Sequence, residues 1–445
     1  MRVTNSGLSR KGNGRRLNRR DFLKLGGAGL AGAALLGTAG CGGGGSGSGD
    51  LIFAMGADRT GTNQPLIDKF NKQSKGFKVQ FREMPTDTGQ YFDKLRTQFQ
   101  AGGGDIDVFG ADVIWPAQFA ANGWLLDVTD KFTEGEQQKF IQGPVQSMIL
   151  EDKIYGVPWY TDAGLLYYRQ DLLEKAGFSE PPKTWTGLQE MAEKVMQDEG
   201  IESGFIFQGD QYEGGVCNGL EYIWTHGGDV LDPNDPSKVV IDSPEAAEGL
   251  ATEASMISEG VAPQSVSTYT ETETDPAFLN GETVFARNWP YMYGLAGTED
   301  YPKLKPEQIG LAPLPLAEGQ NQIASALGGW NMLISATSDK QEEAWEFVKF
   351  MTGEESQRYR ALEGAFLPTR TSLYSDPEIT EKVPVVALGE EALKNARSRP
   401  VSPYYSDMSL EMQEQFNASL KGEVSPEEAV KTLQGSLTEI VQAGS

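Results

Sequence analysis

Tryptophan and tyrosine recur beside carboxylates, amides and glycines in loop-like segments. Four such segments are Pro158-Trp159-Tyr160-Thr161-Asp162, Asn288-Trp289-Pro290-Tyr291, Gly328-Gly329-Trp330-Asn331 and Pro403-Tyr404-Tyr405. A sugar ring has an apolar face and a rim of hydroxyls. An aromatic ring packs on the face, while carboxylates, guanidinium groups and amides bond the rim. Aromatics next to carboxylates are therefore the chemistry a carbohydrate needs. The competing reading is that these rings fill a hydrophobic core.

Other chemistries have less to work with. His226 is the only histidine, and Cys41 and Cys217 are the only cysteines. Multi-histidine metal sites and Cys-x-x-Cys pairs are excluded, and no metal or cofactor is expected. A serine triad would have to use His226, and no Gly-x-Ser-x-Gly elbow accompanies it. His226 and Cys217 read as structural residues. No catalytic set is assigned. Asp112 and Asp162 could be proposed as the paired carboxylates of a glycoside hydrolase acting on α-linked disaccharides, but nothing marks either as a general acid. A purely structural surface protein is the third class in play.

The N-terminus carries an address. Residues 1–24 hold eight Lys/Arg and one acid, and an apolar Gly/Ala-rich run from Leu25 to Ala39 follows. That order reads as an export signal, too short and glycine-rich for a membrane span. Asn18-Arg19-Arg20-Asp21-Phe22-Leu23-Lys24 resembles the twin-arginine export motif. Thr38-Ala39-Gly40-Cys41 resembles a bacterial lipobox, in which Cys41 is acylated; otherwise Cys41 is a plain residue in a flexible segment. Residues 42–50 form a Gly/Ser tether. Its G-x-G pattern is no phosphate site, because no strand precedes it and no helix follows. Removing the signal's net +7 from the chain's −25 leaves −32. So acidic a surface argues against nucleic acid and against direct binding to anionic lipid.

The elements that must position the aromatic segments begin at Leu51. Leu51–Met55, Lys78–Met84 and 106–109 read as strands. Helical spacing follows at Leu66, Ile67 and Phe70, then at Phe92, Leu95 and Phe99. This alternation predicts a parallel sheet covered by helices, with ligands beyond the carboxyl ends of the strands. Asp58 and Asp112 each follow a predicted strand, as cleft-edge residues or as turn and cap aspartates; Asp112 could cap a helix starting near Pro116. Ser338-Asp339-Lys340-Gln341 and Ser425-Pro426-Glu427-Glu428 carry capping-box patterns. The Trp345 stripe reads as core.

The order of the motifs resembles a known family. Gly156-Val157-Pro158-Trp159-Tyr160, then Leu165-Leu166-Tyr167-Tyr168-Arg169-Gln170-Asp171, then Pro181-Pro182-Lys183-Thr184-Trp185, Phe278-Leu279-Asn280-Gly281-Glu282 and Gly310-Leu311-Ala312-Pro313 resemble the maltose-binding type of extracellular solute-binding protein. The resemblance covers nearly all of residues 50–445. Asp112-Val113-Ile114-Trp115-Pro116, Arg287-Asn288-Trp289-Pro290-Tyr291 and Arg399-Pro400-Val401-Ser402-Pro403 are most similar to trehalose/maltose-binding proteins. It implies an α/β, two-lobed periplasmic-binding-protein fold (type II) with a hinge and an interlobe cleft. One lobe would comprise residues 51–161 and 313–353, the other 162–312 and 354–445. It implies a non-catalytic monomer that delivers a sugar to the permease subunits of an ATP-binding-cassette importer, held on the outer face of the membrane only by lipid on Cys41. It also implies the site. Asp58 and Asp112 would accept sugar hydroxyls. Tyr160 and Asp162 would sit at the lobe crossover, and Trp289 and Tyr291 would stack from the second lobe. Gly329 and Trp330 would flank the sugar, and Arg399 would donate a charged fork.

Overall fold

The computed structural model describes residues 49–103 and 105–443. The export signal with its arginine pair, Cys41 and all but the last residues of the tether lie outside these. Fifteen strands are present among the described residues. Strands β1 (Leu51–Gly56), β2 (Val79–Met84) and β3 (Val108–Asp112) come first. The short hairpin of β4 (Ile149–Leu150) and β5 (Lys153–Ile154) precedes β6 (Gly156–Ala163) and β7 (Leu165–Arg169). Then come β8 (Ser203–Ile206), the β9 (Leu231–Asp232) and β10 (Asp235–Val239) hairpin, β11 (Thr283–Asn288) and β12 (Ile309–Ala312). Last are β13 (Ser325–Ile334), β14 (Leu367–Pro368) and β15 (Ala396–Arg397).

Two large sheets result. The first runs β14-β6-β13-β3-β1-β2, with β15 also on β13; the second runs β12-β7-β11-β8. β1, β2 and β3 are parallel, as the alternation predicted. The sheet as a whole is mixed, because β13 returns from the second sheet and runs antiparallel to both β3 and β6. The chain changes sheets between β6 and β7, across Gly164, and again between β12 and β13. At Gly164 a Cβ would stand 2.0 Å from Glu221 Oε1 and 2.6 Å from Arg287 Nη2. Only glycine lets the crossover pass the buried Glu221–Arg287 ion pair.

Each sheet owns a core. Phe53, Phe109 and Trp159 are buried with the Phe347 face of the helix Gln341–Met351, and Trp345 is buried there too. The ladder skips Trp159, where β6 bulges against Trp330 and Asn331, and its ring meets that of Tyr160 at 5.2 Å within this core. Burying such a side chain contributes about 1.5–3 kcal/mol. In the second lobe Leu165, Tyr167, Phe205, Phe278 and Phe285 are buried, and Trp185 stacks on Tyr222 with ring centroids 4.3 Å apart.

Two local expectations shift. Gly110-Ala111-Asp112, placed after the third strand, belongs to β3, and the strand starts at Val108 rather than Ile106. Asp107 is used outside the ladder: its Oδ2 accepts the Ile52 amide at 2.8 Å and its Oδ1 accepts the Ser338 hydroxyl at 2.7 Å. Ser338 therefore does not cap a helix; the helix Gln341–Met351 begins after Lys340. Ser425 does brace its helix, accepting the Glu428 amide at 3.2 Å ahead of Pro426–Ala443.

Candidate ligand-binding site

Strand register brings distant residues into one row. Trp330 on β13 pairs with Asp112 on β3 and with Tyr160 on β6, while Gly329 pairs with Thr161 and Gly328 with Asp162. Gly329 has φ +121°, and a Cβ there would meet Tyr160 O and Thr161 Cα at 2.6 Å. It lets the two strands approach, which sets Trp330 beside Tyr160. Behind Trp330, Tyr91 stacks at 5.9 Å and Trp115 meets it edge-on at 5.4 Å.

The second lobe faces this row. Trp289 follows β11, and its loop is held by the Tyr167 hydroxyl, which donates to the carbonyls of Trp289 at 2.8 Å and Pro290 at 3.1 Å. The Trp289 indole N–H donates to Glu271 Oε1 at 2.9 Å. The Arg287 guanidinium lies 3.9 Å from the indole centroid, a cation–π contact. Arg287 is itself locked by Glu221, with Nε to Oε2 at 2.7 Å and Nη2 to Oε1 at 2.6 Å. Tyr291 donates to Asp275 Oδ2 at 2.9 Å. The cleft between the lobes contains about 1040 Å³ of space, part of it open to solvent. All nine residues singled out from the sequence line it: Asp58, Asp112, Tyr160, Asp162, Trp289, Tyr291, Gly329, Trp330 and Arg399.

Their bonding differs from residue to residue. Arg399 is buried and spans the lobes, donating from Nη2 to Asp112 Oδ1 at 2.6 Å and from Nη1 to Glu213 Oε1 at 2.7 Å. Its fork is thus engaged by protein carboxylates, and its Nε is left without a partner. Asp112 Oδ1 also accepts the Ile114 amide at 3.2 Å. The helix Pro116–Ala121 starts at the proline, but its cap position is Trp115. Burial raises the Asp112 pKa; Arg399 offsets part of that and Glu213 adds to it. Asp162 is buried with Oδ1 unpartnered. Burial, then the nearby Asp112, push its pKa well above the usual carboxylate range. That favours a protonated carboxyl, able both to donate and to accept. Asp58 lines the cleft, but its Oδ1 accepts from the Thr60 amide and hydroxyl and its Oδ2 from the Asn63 amide. Those bonds brace the start of the helix Asn63–Gln73.

Several lining residues had no sequence assignment: Arg59, Glu213, Glu271, Arg360 and Phe366. Arg360 is buried against the rings of Trp159 at 4.0 Å, Tyr160 at 4.7 Å and Phe366 at 4.0 Å. Burial lowers its pKa. Cys217 is also at the cleft, its thiol pushed up by burial to about 12. His226 lies elsewhere, with Nδ1 2.7 Å from the Tyr222 carbonyl and Nε2 2.8 Å from the Thr252 hydroxyl. Among the described residues no group of three or more His, Cys, Asp or Glu is placed to hold a metal ion.

Two α/β lobes, joined by strands that cross between them and lined on both inner faces with aromatic and ionisable groups, define a two-lobed solute-binding protein. The chain belongs to the family of bacterial extracellular solute-binding proteins, whose model matches residues 56–358. It is similar to a probable ABC transporter-binding protein of Deinococcus radiodurans, 33% identical over 377 residues, which span 83% of this chain and 88% of that one. A maltotriose-binding protein of Pyrococcus abyssi is 24% identical over 348 residues, 76% of this chain and 70% of that one. Among solved structures, maltose-bound T. maritima MalE3 is 39% identical with a TM-score of 0.83, covering 87% of this chain and 99% of that chain. The fold is the two-lobed MalE type. Family and structural neighbours bind substrates rather than convert them, which sets the glycoside hydrolase aside. The protein is an extracytoplasmic component of an ABC transporter system.

Proposed function

We propose that the protein captures a small α-linked glucoside, with maltose and trehalose the first choices, and delivers it to the permease of an ABC importer. The observation that carries this is the facing pair of surfaces: the Asp112–Trp330–Tyr160 row of one lobe, with Asp162 beside it on β6, opposite Trp289 and Tyr291 of the other. Rings on both sides stack on sugar faces, and the free Asp162 oxygen and Arg399 Nε supply rim bonds. The 39% identity to a maltose-bound neighbour supports the choice of sugar. The lobes comprise residues 51–161 with 313–353, and 162–312 with 354–445. Because both contribute to one site, ligand favours the closed form, which a permease can recognise. The monomer is exported through its arginine pair and held at the membrane by lipid on Cys41, with residues 42–50 as the tether.

Calorimetry of residues 50–445 against a disaccharide panel tests the reading. Maltose or trehalose should bind, and at a hundred times its dissociation constant should add about 2.7 kcal/mol to stability. Trp289→Ala should abolish binding while leaving the melting curve nearly in place. No heat and no stabilisation from any sugar of the panel would refute the carbohydrate assignment; intact affinity in Trp289→Ala would move the site elsewhere.

A further inference from the structure

The lobes also meet through Arg59, in the turn between β1 and the helix Asn63–Gln73. Its guanidinium reaches the first turns of the helix Glu271–Leu279, which packs on β11 in the second lobe. Nη1 donates to Asp275 Oδ2 at 2.5 Å and to the Glu271 carbonyl at 3.2 Å; Nη2 donates to the Thr272 hydroxyl at 2.7 Å. The receptor is built for it. Asp275 is fully buried, and the Tyr291 hydroxyl and the Asn288 amide, both at 2.9 Å, fix its carboxylate.

Sheet order says where this bridge lies. The chain crosses between lobes along β6 and β7 and along β12 and β13, so those strands mark the hinge side. β1 stands beyond β13 with β3 between them. The bridge from the end of β1 therefore closes the cleft on the side where the helix Glu354–Gly364 packs, with Gly364 beside Thr60 and Arg360 bonded to Asn63. Arg59 also lines the cleft, so the wall it makes faces any ligand inside.

We propose that Arg59 is a strap across one end of the cleft that limits the ligand to saccharides short enough to lie wholly behind it. A chain continuing past the strap would have to displace a guanidinium held by three hydrogen bonds and a buried carboxylate. The proposal rests on the carbohydrate reading above and names its substrate class: short saccharides rather than long linear ones.

The test is calorimetry with trehalose, maltose, maltotriose and maltotetraose on the wild type, Arg59→Ala and Thr272→Val. The wild type should favour a disaccharide over maltotetraose by about tenfold or more. Arg59→Ala should shrink that ratio to near one. Thr272→Val, an exposed site that removes one strap bond and leaves Asp275 paired, should shrink it partway and keeps the test open should Arg59→Ala not fold. A wild type that binds disaccharide and maltotetraose equally well, or a ratio unmoved by the folded variants, overturns the strap and leaves the carbohydrate reading standing. A wild type that binds none of the four defeats both.

Discussion

Arg399 and Arg59 both join the lobes across the cleft, and they do so in different surroundings. Arg399 is buried, 3% exposed, between Asp112 of the first lobe and Glu213 of the second. Glu213 is further satisfied by the Tyr405 hydroxyl at 2.6 Å and by Ser409. Arg59 reaches one buried carboxylate with a side chain that stays 24% exposed. Arg399 joins a closed network in which every carboxylate depends on one cation. Arg59 is a strap with water on one side, so its removal is partly compensated by solvent. Burial, rather than the number of bonds, separates a group that holds the structure from one that can open and close.

The largest expected effect is at Arg399. Arg399→Met leaves Asp112 and Glu213 buried without their cation and should cost about 3–5 kcal/mol. Denaturant midpoints measure it. The same measurement on Arg59→Ala should give a smaller loss, about 1–3 kcal/mol, since the guanidinium is partly solvated and Tyr291 and Asn288 still bond the buried Asp275. Equal losses at the two sites would erase the distinction between network and strap.

This contrast was only partly legible in the sequence. Each aromatic segment could be marked from its own composition, and all nine marked residues line the cleft. Their row could not be read, because the pairing of Trp330 with Asp112 and Tyr160 is a long-range register. Asp112 was placed just after the third strand, as a cleft-edge residue or a turn or cap aspartate; it is the last residue of β3, paired with Trp330 of β13, and lines the cleft. Asp58 had been left open between cleft edge and turn or cap; it lines the cleft, and its carboxylate accepts from Thr60 and Asn63 ahead of a helix whose cap position is Thr62. Glu213 was missed because its helix, Glu213–Thr225, is buried nearly all round and shows no amphipathic period. The one available signal was an acid beside two glycines at the start of an apolar helix. Arg59 gave no signal at all, since Asp275 lies 216 residues away along the chain.

A smaller effect should follow pH. Burial raises the Asp275 pKa to about 6, with Arg59 and the Tyr291 hydroxyl lowering it and Glu271 raising it. Arg59 favours the carboxylate, so strapping lowers the Asp275 pKa relative to the unstrapped state. The strap is then present above about pH 6 and lost as pH falls through that value. Ligand release measured by stopped flow should quicken between pH 7 and pH 5, and Asp275→Asn should remove the trend. Global unfolding carries the opposite sign. The folded pKa of Asp275 exceeds the ordinary aspartate value of 3.8, so between these values the native state holds the extra proton and this group's contribution to stability falls as pH rises. A release rate that slows on acidification would mean Asp275 takes no part in closure.

The smallest effect belongs to the edge of the strap's own helix, where Glu271 orients Trp289. Its Oε1 accepts the indole N–H at 2.9 Å and its Oε2 accepts the Tyr212 hydroxyl at 2.9 Å. Glutamine can preserve both contacts: its carbonyl accepts the indole, and its amide donates to the tyrosine oxygen. The Arg287 contact on the indole is untouched, since Glu221 holds that guanidinium. Glu271→Gln should therefore weaken sugar binding less than about fivefold, within a single neutral hydrogen bond of about 1 kcal/mol. Glu271→Ala should weaken it more, because the indole edge loses its anchor. Calorimetry on the pair separates geometry from charge. If glutamine is as damaging as alanine, the anionic charge of Glu271 matters here and the strap region is closer in kind to the Arg399 network than its solvent exposure implies.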